Sequence, residues 1–292
     1  MAPLERRRSH GDTADVKLVA LPCGESVPAL GQGTWNMGDE PRLRGQEIDT
    51  LRHGIELGLT LIDTAEMYGD GRSEELVGEA IRGRRDKVFL VTKVYPHNAS
   101  RRAMPTSCDN SLRRLGVEAI DLYLLHWPGG VPIAETVDTF EALRRAGKIR
   151  HWGVSNLDLA HVQGLQAAAG GGAVQVNQLL YNLGRRGIEW DLLPWLRRHH
   201  IPVMAYSPIE QGRLLRKPAL VALAKRLGMT AAQVAIAWLL AQDGVIAIPK
   251  TGRRERLEEN AAALAYPLTP AELRELDAIF APPNGPMPLE ML

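Results

Sequence analysis

The chain is poor in the features that mark the special classes of protein. It has two cysteines in 292 residues, Cys23 and Cys108. Two cysteines so placed form neither a disulfide framework nor a metal-binding repeat. Both read as free thiols of a reducing cytoplasm, and no metal site is expected. Charge of one sign is not in excess. Against 35 Lys and Arg stand 34 Asp and Glu, a formal net charge of +1. That removes the global field expected of a protein made for nucleic acid or a membrane surface. No apolar run approaches the roughly 20 residues that span a bilayer. Arg6-Arg7-Arg8 has no apolar stretch behind it, so the start is not a secretory signal. Residues 1–15 are expected to be a disordered end. A third glycine is also missing after Gly31-Gln32-Gly33. Without it, an open doubly wound sheet loses its main sequence support.

What is present is an alternation. Val16 to Leu30 holds two short apolar stretches around Pro22-Cys23-Gly24-Glu25-Ser26, a hairpin pattern suited to closing the bottom of a barrel. Eight short strands are expected to follow: Ala29 to Thr34, Leu59 to Asp63, Val88 to Lys93, Ile120 to His126, Ile149 to Val154, Val174 to Gln178, Pro202 to Ser207 and Val245 to Ile248. Helical patterns separate them, with Ser73 read as the cap of the second helix. Two helices split near Gly228-Met229-Thr230. A last helix follows Thr269-Pro270, with Glu272 three residues after the cap. Eight strand–helix units without a composition break predict a single (β/α)8 TIM barrel over residues 16–292, with an N-terminal β-hairpin and an extra C-terminal helix.

Ionisable groups stand where three of these strands stop. Asp63 ends Leu59-Thr60-Leu61-Ile62, Lys93 follows Val88-Phe89-Leu90-Val91-Thr92, and His126 ends Leu122-Tyr123-Leu124-Leu125. Tyr68 follows Asp63 in the same loop. Singly, each has a plain structural reading: a cap, a snorkelling amine, a core histidine, a loop aromatic. Together they lie at the end of a parallel barrel where ligands bind. A buried lysine needs an acid beside it, and Asp63 is placed to be that acid. A phenol is a weak acid with an ordinary pKa of about 10, and an adjacent ammonium is expected to lower it. A histidine donor can share the charge that develops on a substrate oxygen. Reduction of a carbonyl needs such a set, because hydride at carbon must be matched by a proton at oxygen.

Asp63-Thr64-Ala65-Glu66-Met67-Tyr68, Lys93 and His126 resemble, in order and spacing, the catalytic tetrad of the aldo-keto reductases. The resemblance runs from about Gly31 to Phe280. It takes in Gly31-Gln32-Gly33-Thr34-Trp35, Gly147-Lys148-Ile149-Arg150, Gly153-Val154-Ser155-Asn156, Gln175-Val176-Asn177-Gln178, Ala205-Tyr206-Ser207-Pro208 and Ile248-Pro249-Lys250. Within the family the chain looks most like the bacterial aldehyde and methylglyoxal reductases. The resemblance implies an NADP-dependent oxidoreductase that reduces aldehydes and activated dicarbonyls to alcohols, with Tyr68 giving the proton. It also implies an NADPH site. Tyr206 would stack on the nicotinamide, and Ser155, Asn156 and Gln178 would hold the carboxamide. Ser207 and Leu214 would approach the pyrophosphate. Lys250, Thr251 and Arg256 would grip the 2′-phosphate, and Glu259 and Asn260 would reach the adenine. Gly33, Thr34, Trp35, Asp63, Pro208, Ile209, Gln211, Gly212 and Gly252 complete the expected contacts.

Trp35, Tyr95 and Trp127 are read as an aromatic substrate pocket, and Trp152, Trp190, Trp195 and Trp238 as packing residues. Glu210 is expected to point outward, since a carboxylate near a pyrophosphate would repel it. Arg253 and Arg254 fit a solvated helix start as well as a phosphate grip. The tail from Ala281 to Leu292 either folds over the pocket or stays mobile. The expected partner is a small carbonyl substrate, with no nucleic acid or membrane, for a cytoplasmic monomer or homodimer. Two other readings remain: a non-catalytic NADPH-sensing subunit on the same barrel, and a barrel enzyme of different chemistry, either a phosphosugar isomerase or a metal-dependent lyase, the last without a His/Asp/Glu metal cluster to support it.

Overall fold

Short apolar runs between glycine turns fold here as a closed parallel barrel. A computed structural model describes residues 17–292, so the expectation for residues 1–15 lies outside the described residues. The hairpin is present. Strand β1 (Leu18–Ala20) pairs antiparallel with β2 (Ser26–Pro28), Val19 opposite Val27. Its turn closes through Leu21 N–H to the Glu25 carbonyl at 2.7 Å, with Gly24 at φ 92°.

Eight parallel strands follow: β3 (Gln32–Gly33), β4 (Leu61–Asp63), β5 (Phe89–Val94), β6 (Ile120–Leu125), β7 (Ile149–Ser155), β8 (Asn177–Leu180), β9 (Val203–Tyr206) and β10 (Val245–Ala247). Each pairs with its sequence neighbours. Parallel bridges Leu30–Ala247 and Gly33–Lys250 then join the first strand to the last and close the barrel. Gly33 has to be a glycine at this seam. A Cβ there would lie 2.8 Å from the Ile248 carbonyl oxygen, a backbone atom that cannot move aside.

The helices are α1 (Arg44–Glu56), α2 (Arg72–Ile81), α3 (Met104–Leu115), α4 (Ile133–Arg145), α5 (Leu159–Ala167), α6 (Leu192–Arg198), α7 (Pro218–Leu227), α8 (Ala231–Leu240), α9 (Arg254–Ala262) and α10 (Pro270–Ile279). Capping boxes start two of them, Thr230 with Gln233 and Thr269 with Glu272. Helix α8 is apolar on nearly every side and correspondingly buried. No single described helix is long and apolar enough to cross a membrane.

Three expectations need correction. Ser73 is no cap: α2 starts after Gly71 in the left-handed region, and the Ser73 hydroxyl sits 2.8 Å from Thr34 Oγ1. The sixth barrel strand is displaced toward Leu180. The extended chain from Gln175 already bonds to β7 through Gln175 N–H to the Trp152 carbonyl at 3.0 Å, so only the boundary moves. Trp190 is 47% exposed and is not core, whereas Trp152, Trp195 and Trp238 are buried.

Candidate active site

Every expected catalytic group lies at or just past the C-terminal end of a barrel strand, because parallel strands all stop at one rim. Lys93 is completely buried on β5. Its Nζ donates to Asp63 Oδ2 at 2.8 Å, to the Thr64 carbonyl at 2.8 Å, and to the Tyr68 hydroxyl at 3.1 Å. Three acceptors saturate the ammonium. Burial pulls its pKa down, but Asp63 and Tyr68 outweigh that and leave it raised, so it stays charged. The other Asp63 oxygen accepts from Gln178 Nε2 at 2.8 Å. Thr34 Oγ1 donates to the Asp63 carbonyl at 2.9 Å, which ties β3 to β4 beneath the site.

Tyr68 lies at the wall of the cavity, its ring edge-on to His126 with centroids 5.9 Å apart. Its pKa is raised, not lowered. Burial is the largest cause and the Asp63 charge adds to it, while Lys93 opposes both. The expectation that the ammonium would win is therefore corrected: burial outweighs it, and the Asp63 charge adds to burial. Tyr68 stays protonated at neutral pH and can act as a proton donor.

His126 is also neutral. Burial, helped by the Lys93 charge, pushes its pKa down to about 2. Its Nδ1 is buried without a hydrogen-bond partner among the described residues. A bare nitrogen there costs less than an N–H with no acceptor. The proton therefore belongs on Nε2, where it can be donated.

These groups open into a cavity of about 590 Å³. Its lining includes the expected Gly33, Thr34, Trp35, Asp63, Tyr68, His126 and Trp127. It also includes Ser155, Asn156, Gln178, Tyr206, Ser207, Pro208, Ile209, Gln211, Gly212, Lys250 and Arg256. Asn156 accepts from the Tyr206 hydroxyl at 3.0 Å and donates to the His126 carbonyl at 3.1 Å. Gln178 commits its nitrogen to Asp63 and leaves its oxygen for a ligand amide. Among the described residues Lys250 and Arg256 form no ion pair, so both stand ready for an anion. Amides, a stacking phenol and two unpaired cations around one cavity fit NADPH. Asn156, Ser207, Glu210 and Gln211 have φ between 50° and 59°, a concentration of strained backbone at this rim.

Some of the expected residues lie outside the cavity lining. Leu214 is buried and its neighbour Leu215 lines the cavity instead. Thr251 Oγ1 accepts from the Arg253 N–H at 3.2 Å at the start of α9, Gly252 packs on α1 beside Glu47, and Glu259 and Asn260 lie on α9; none lines the cavity. Tyr95 stands behind the wall, edge-on to Trp127 at 5.9 Å and stacked on His97 at 4.8 Å. Arg254 pairs with Glu258 at 3.2 Å, the solvated reading. Glu210 does not point outward. It is buried, and it accepts from Arg185 at 2.9 Å, Arg213 at 2.9 Å and Asn182 at 2.8 Å. Those donors remove the repulsion on which the outward expectation rested.

The sequence reading missed Asn36, Met67, Leu215, Ile248, Met291 and Leu292, all at the cavity. The last two matter most: the tail folds back over the pocket, anchored by Glu290 on Arg185. Nothing in a Pro- and Gly-rich tail signals that return. The motif positions of Asn36, Met67 and Ile248 were a usable signal, since each adjoins a residue already singled out.

The pattern of the Aldo/keto reductase family matches residues 29–281. The chain is 50% identical over 281 residues to methylglyoxal reductase YeaE of Escherichia coli, covering 94% of this chain and 99% of that protein. A crystal structure of an aldo/keto reductase from Klebsiella pneumoniae in complex with NADP and acetate superposes with a TM-score of 0.93 at 49% identity, covering 95% of this chain and all of that one. A second Klebsiella pneumoniae aldo-keto reductase structure, in complex with NADPH, gives the same TM-score and identity over 95% of this chain and 99% of that one. With the barrel, the strand-end tetrad and these likenesses in agreement, the chain belongs to the aldo/keto reductase family.

Proposed function

We propose that the protein reduces small aldehydes and activated dicarbonyls, methylglyoxal and aromatic aldehydes among them, to alcohols with NADPH. The observation that carries this is the Asp63–Lys93–Tyr68 chain of contacts opening beside a neutral His126 into one cavity. Bound in that cavity, NADPH supplies hydride to the carbonyl carbon. Tyr68 gives its phenolic proton to the carbonyl oxygen. His126 Nε2–H donates to the same oxygen and holds it within reach. Lys93, fixed by Asp63, steadies the phenolate that Tyr68 becomes. Asn156, Gln178 and Ser155 would orient the nicotinamide end, and Lys250 and Arg256 would hold the 2′-phosphate end.

Trp35, Trp127, Met67, Met291 and Leu292 give the substrate side an apolar wall. Flat aromatic aldehydes and small dicarbonyls fit such a wall, and the folded tail excludes bulky ketones. The protein works as a cytoplasmic enzyme, monomeric or homodimeric. The test is NADPH oxidation across methylglyoxal, a nitrobenzaldehyde, a simple ketone and a steroid ketone. Both the aldehyde and methylglyoxal are expected to turn over efficiently and the steroid ketone poorly. Highest efficiency with the steroid ketone defeats the substrate assignment. No turnover of any carbonyl leaves the non-catalytic sensing subunit as the better reading.

A further inference from the structure

At the opposite end of the barrel three side chains meet that the reaction does not use. Cys23 and Glu25 lie in the turn between β1 and β2, and His151 lies near the start of β7. Their Sγ, carboxylate oxygen and ring nitrogen all fall within 4.8 Å of one another. Cys23 Sγ is 3.8 Å from His151 Nε2, and Glu25 Oε2 is 3.4 Å from the same nitrogen. Both groups converge on Nε2. A catalytic relay would instead place them on opposite ring nitrogens. One imidazole proton cannot serve both, whereas a cation seated among the three satisfies all of them.

We propose that Cys23, Glu25 and His151 form a surface site for a borderline divalent cation, Zn²⁺ in the first place, that staples the hairpin to the barrel wall. The spacing suits tetrahedral zinc. Zinc bond lengths require about 3.6 Å between sulfur and nitrogen and about 3.4 Å between nitrogen and oxygen. A thiolate and an imidazole select zinc over magnesium or calcium. The turn presents its ligands in fixed form. The Cys23 N–H donates to Gln175 Oε1 at 2.9 Å, and Gln175 is itself buried and bonded to the Ala173 carbonyl at 2.7 Å. Cys23 and Glu25 are two residues apart around Gly24, whose φ of 92° makes the bend.

Arg150 also reaches the cluster. It holds the other Glu25 oxygen and bridges to Asp121 Oδ1 at 2.8 Å. This leaves Oε2 for the metal but adds a nearby positive charge, so micromolar rather than tighter binding is expected. Three protein ligands leave a fourth position for water. Binding displaces the Cys23 thiol proton and no electrons move.

The test uses the full-length protein, stripped with a chelator, kept reduced, and titrated with Zn²⁺ against a chromophoric indicator. One equivalent is expected to bind. Cys23→Ser and His151→Gln should each weaken it by at least roughly tenfold. NADPH-dependent turnover should stay unchanged in both, since neither residue touches the cavity. Cobalt reads the ligand directly. A thiolate-to-cobalt charge-transfer band should appear in the wild type and vanish in Cys23→Ser; Cys108 is fully buried and cannot supply it. Saturating Zn²⁺ should raise the melting temperature of the wild type alone. Stoichiometry well below one, or wild-type affinity in both variants, overturns the proposal.

Discussion

At the scale of single residues, Tyr68 carries the sharpest consequence. Among the described residues its hydroxyl makes one hydrogen bond, from Lys93, so Tyr68→Phe removes little that holds the fold. A positioned general acid contributes about 10²–10⁴ in rate. Turnover of Tyr68→Phe is expected to fall by that order while NADPH affinity, followed by fluorescence, stays near wild type. Near-normal turnover refutes the assignment. His126 makes a prediction about pH and stability. Its folded pKa lies far below the ordinary value of 6.5. Between the two values the unfolded chain takes up a proton that the folded chain refuses, so stability is lost as pH falls below the unfolded pKa. From about pH 7 to pH 5 this loss is about 2 kcal/mol. Stabilities from denaturation curves at both pH values should show the wild type losing about 2 kcal/mol more than His126→Gln between pH 7 and pH 5. Equal losses rule it out. In the proposed reading Arg256 and Lys250, both at the cavity, govern the choice of cofactor. A charge-assisted bond to a 2′-phosphate is worth roughly 1.5–3 kcal/mol. NADPH should therefore be preferred over NADH by more than about tenfold. Arg256→Ala should narrow that gap by weakening NADPH alone; equal efficiency in the wild type contradicts the reading.

At the scale of elements, Arg185 joins parts of the chain that sequence keeps far apart. It sits in the loop after β8 and holds Glu210 in the loop after β9 together with Glu290 in the tail. The loop after β9 and the tail that covers the cavity thus share one guanidinium. In Arg185→Ala the buried Glu210 carboxylate loses its main partner and the tail loses its anchor. KM for aldehydes and the dissociation constant of NADPH are expected to rise together. Arg213→Ala should do less, because that side chain is more exposed. Arg185→Lys should not restore the wild type, since an ammonium lacks the fork that serves two carboxylates. If only the aldehyde KM moves, the two elements are not coupled. Contacts of this kind are what the sequence could not convey. The tetrad was legible because apolar runs end at Asp63, Lys93 and His126, and a parallel barrel puts all such ends at one rim. Glu210 was misread because its partners include Arg185, 25 residues away. Leu215 rather than Leu214 lines the cavity because a turn of 3-10 helix there sets their faces, and no periodicity announces it. The tail and the hairpin cluster depend on distant contacts and left no local pattern.

At the scale of the whole molecule, the barrel closes unevenly. The β5, β6 and β7 strands share long registers, Val91 to Val94 against Leu122 to Leu125, and Ile120 to Leu125 against Ile149 to Val154. Among the described residues the seam between first and last strands has only the Leu30–Ala247 and Gly33–Lys250 bridges. Its hydrogen bonds are few: Gly31 N–H to the Ala247 carbonyl at 2.8 Å, Gly33 N–H to the Pro249 carbonyl at 3.0 Å, and Ala247 N–H to the Ala29 carbonyl at 2.8 Å. Regions with few such bonds open at lower free energy than the rest. The cavity meets this seam on both sides, through Gly33 and Thr34 on one and Ile248, Lys250 and Arg256 on the other. A ligand filling the cavity therefore spans a sparsely bonded line of the barrel, and stabilises the closed form as its concentration rises above its dissociation constant. Hydrogen exchange should show Gly31, Gly33 and Ala247 opening faster than Leu122 and Leu124 in the free protein. Saturating NADPH should slow the seam amides far more than those of β6. Gly33→Ala sharpens the test. Its methyl meets the Ile248 carbonyl, so the seam amides should exchange faster still and NADPH binding should weaken, while the amides of β6 keep their protection. Uniform exchange around the barrel, or cofactor protection spread evenly over all strands, would falsify the seam as the place where binding and barrel stability meet.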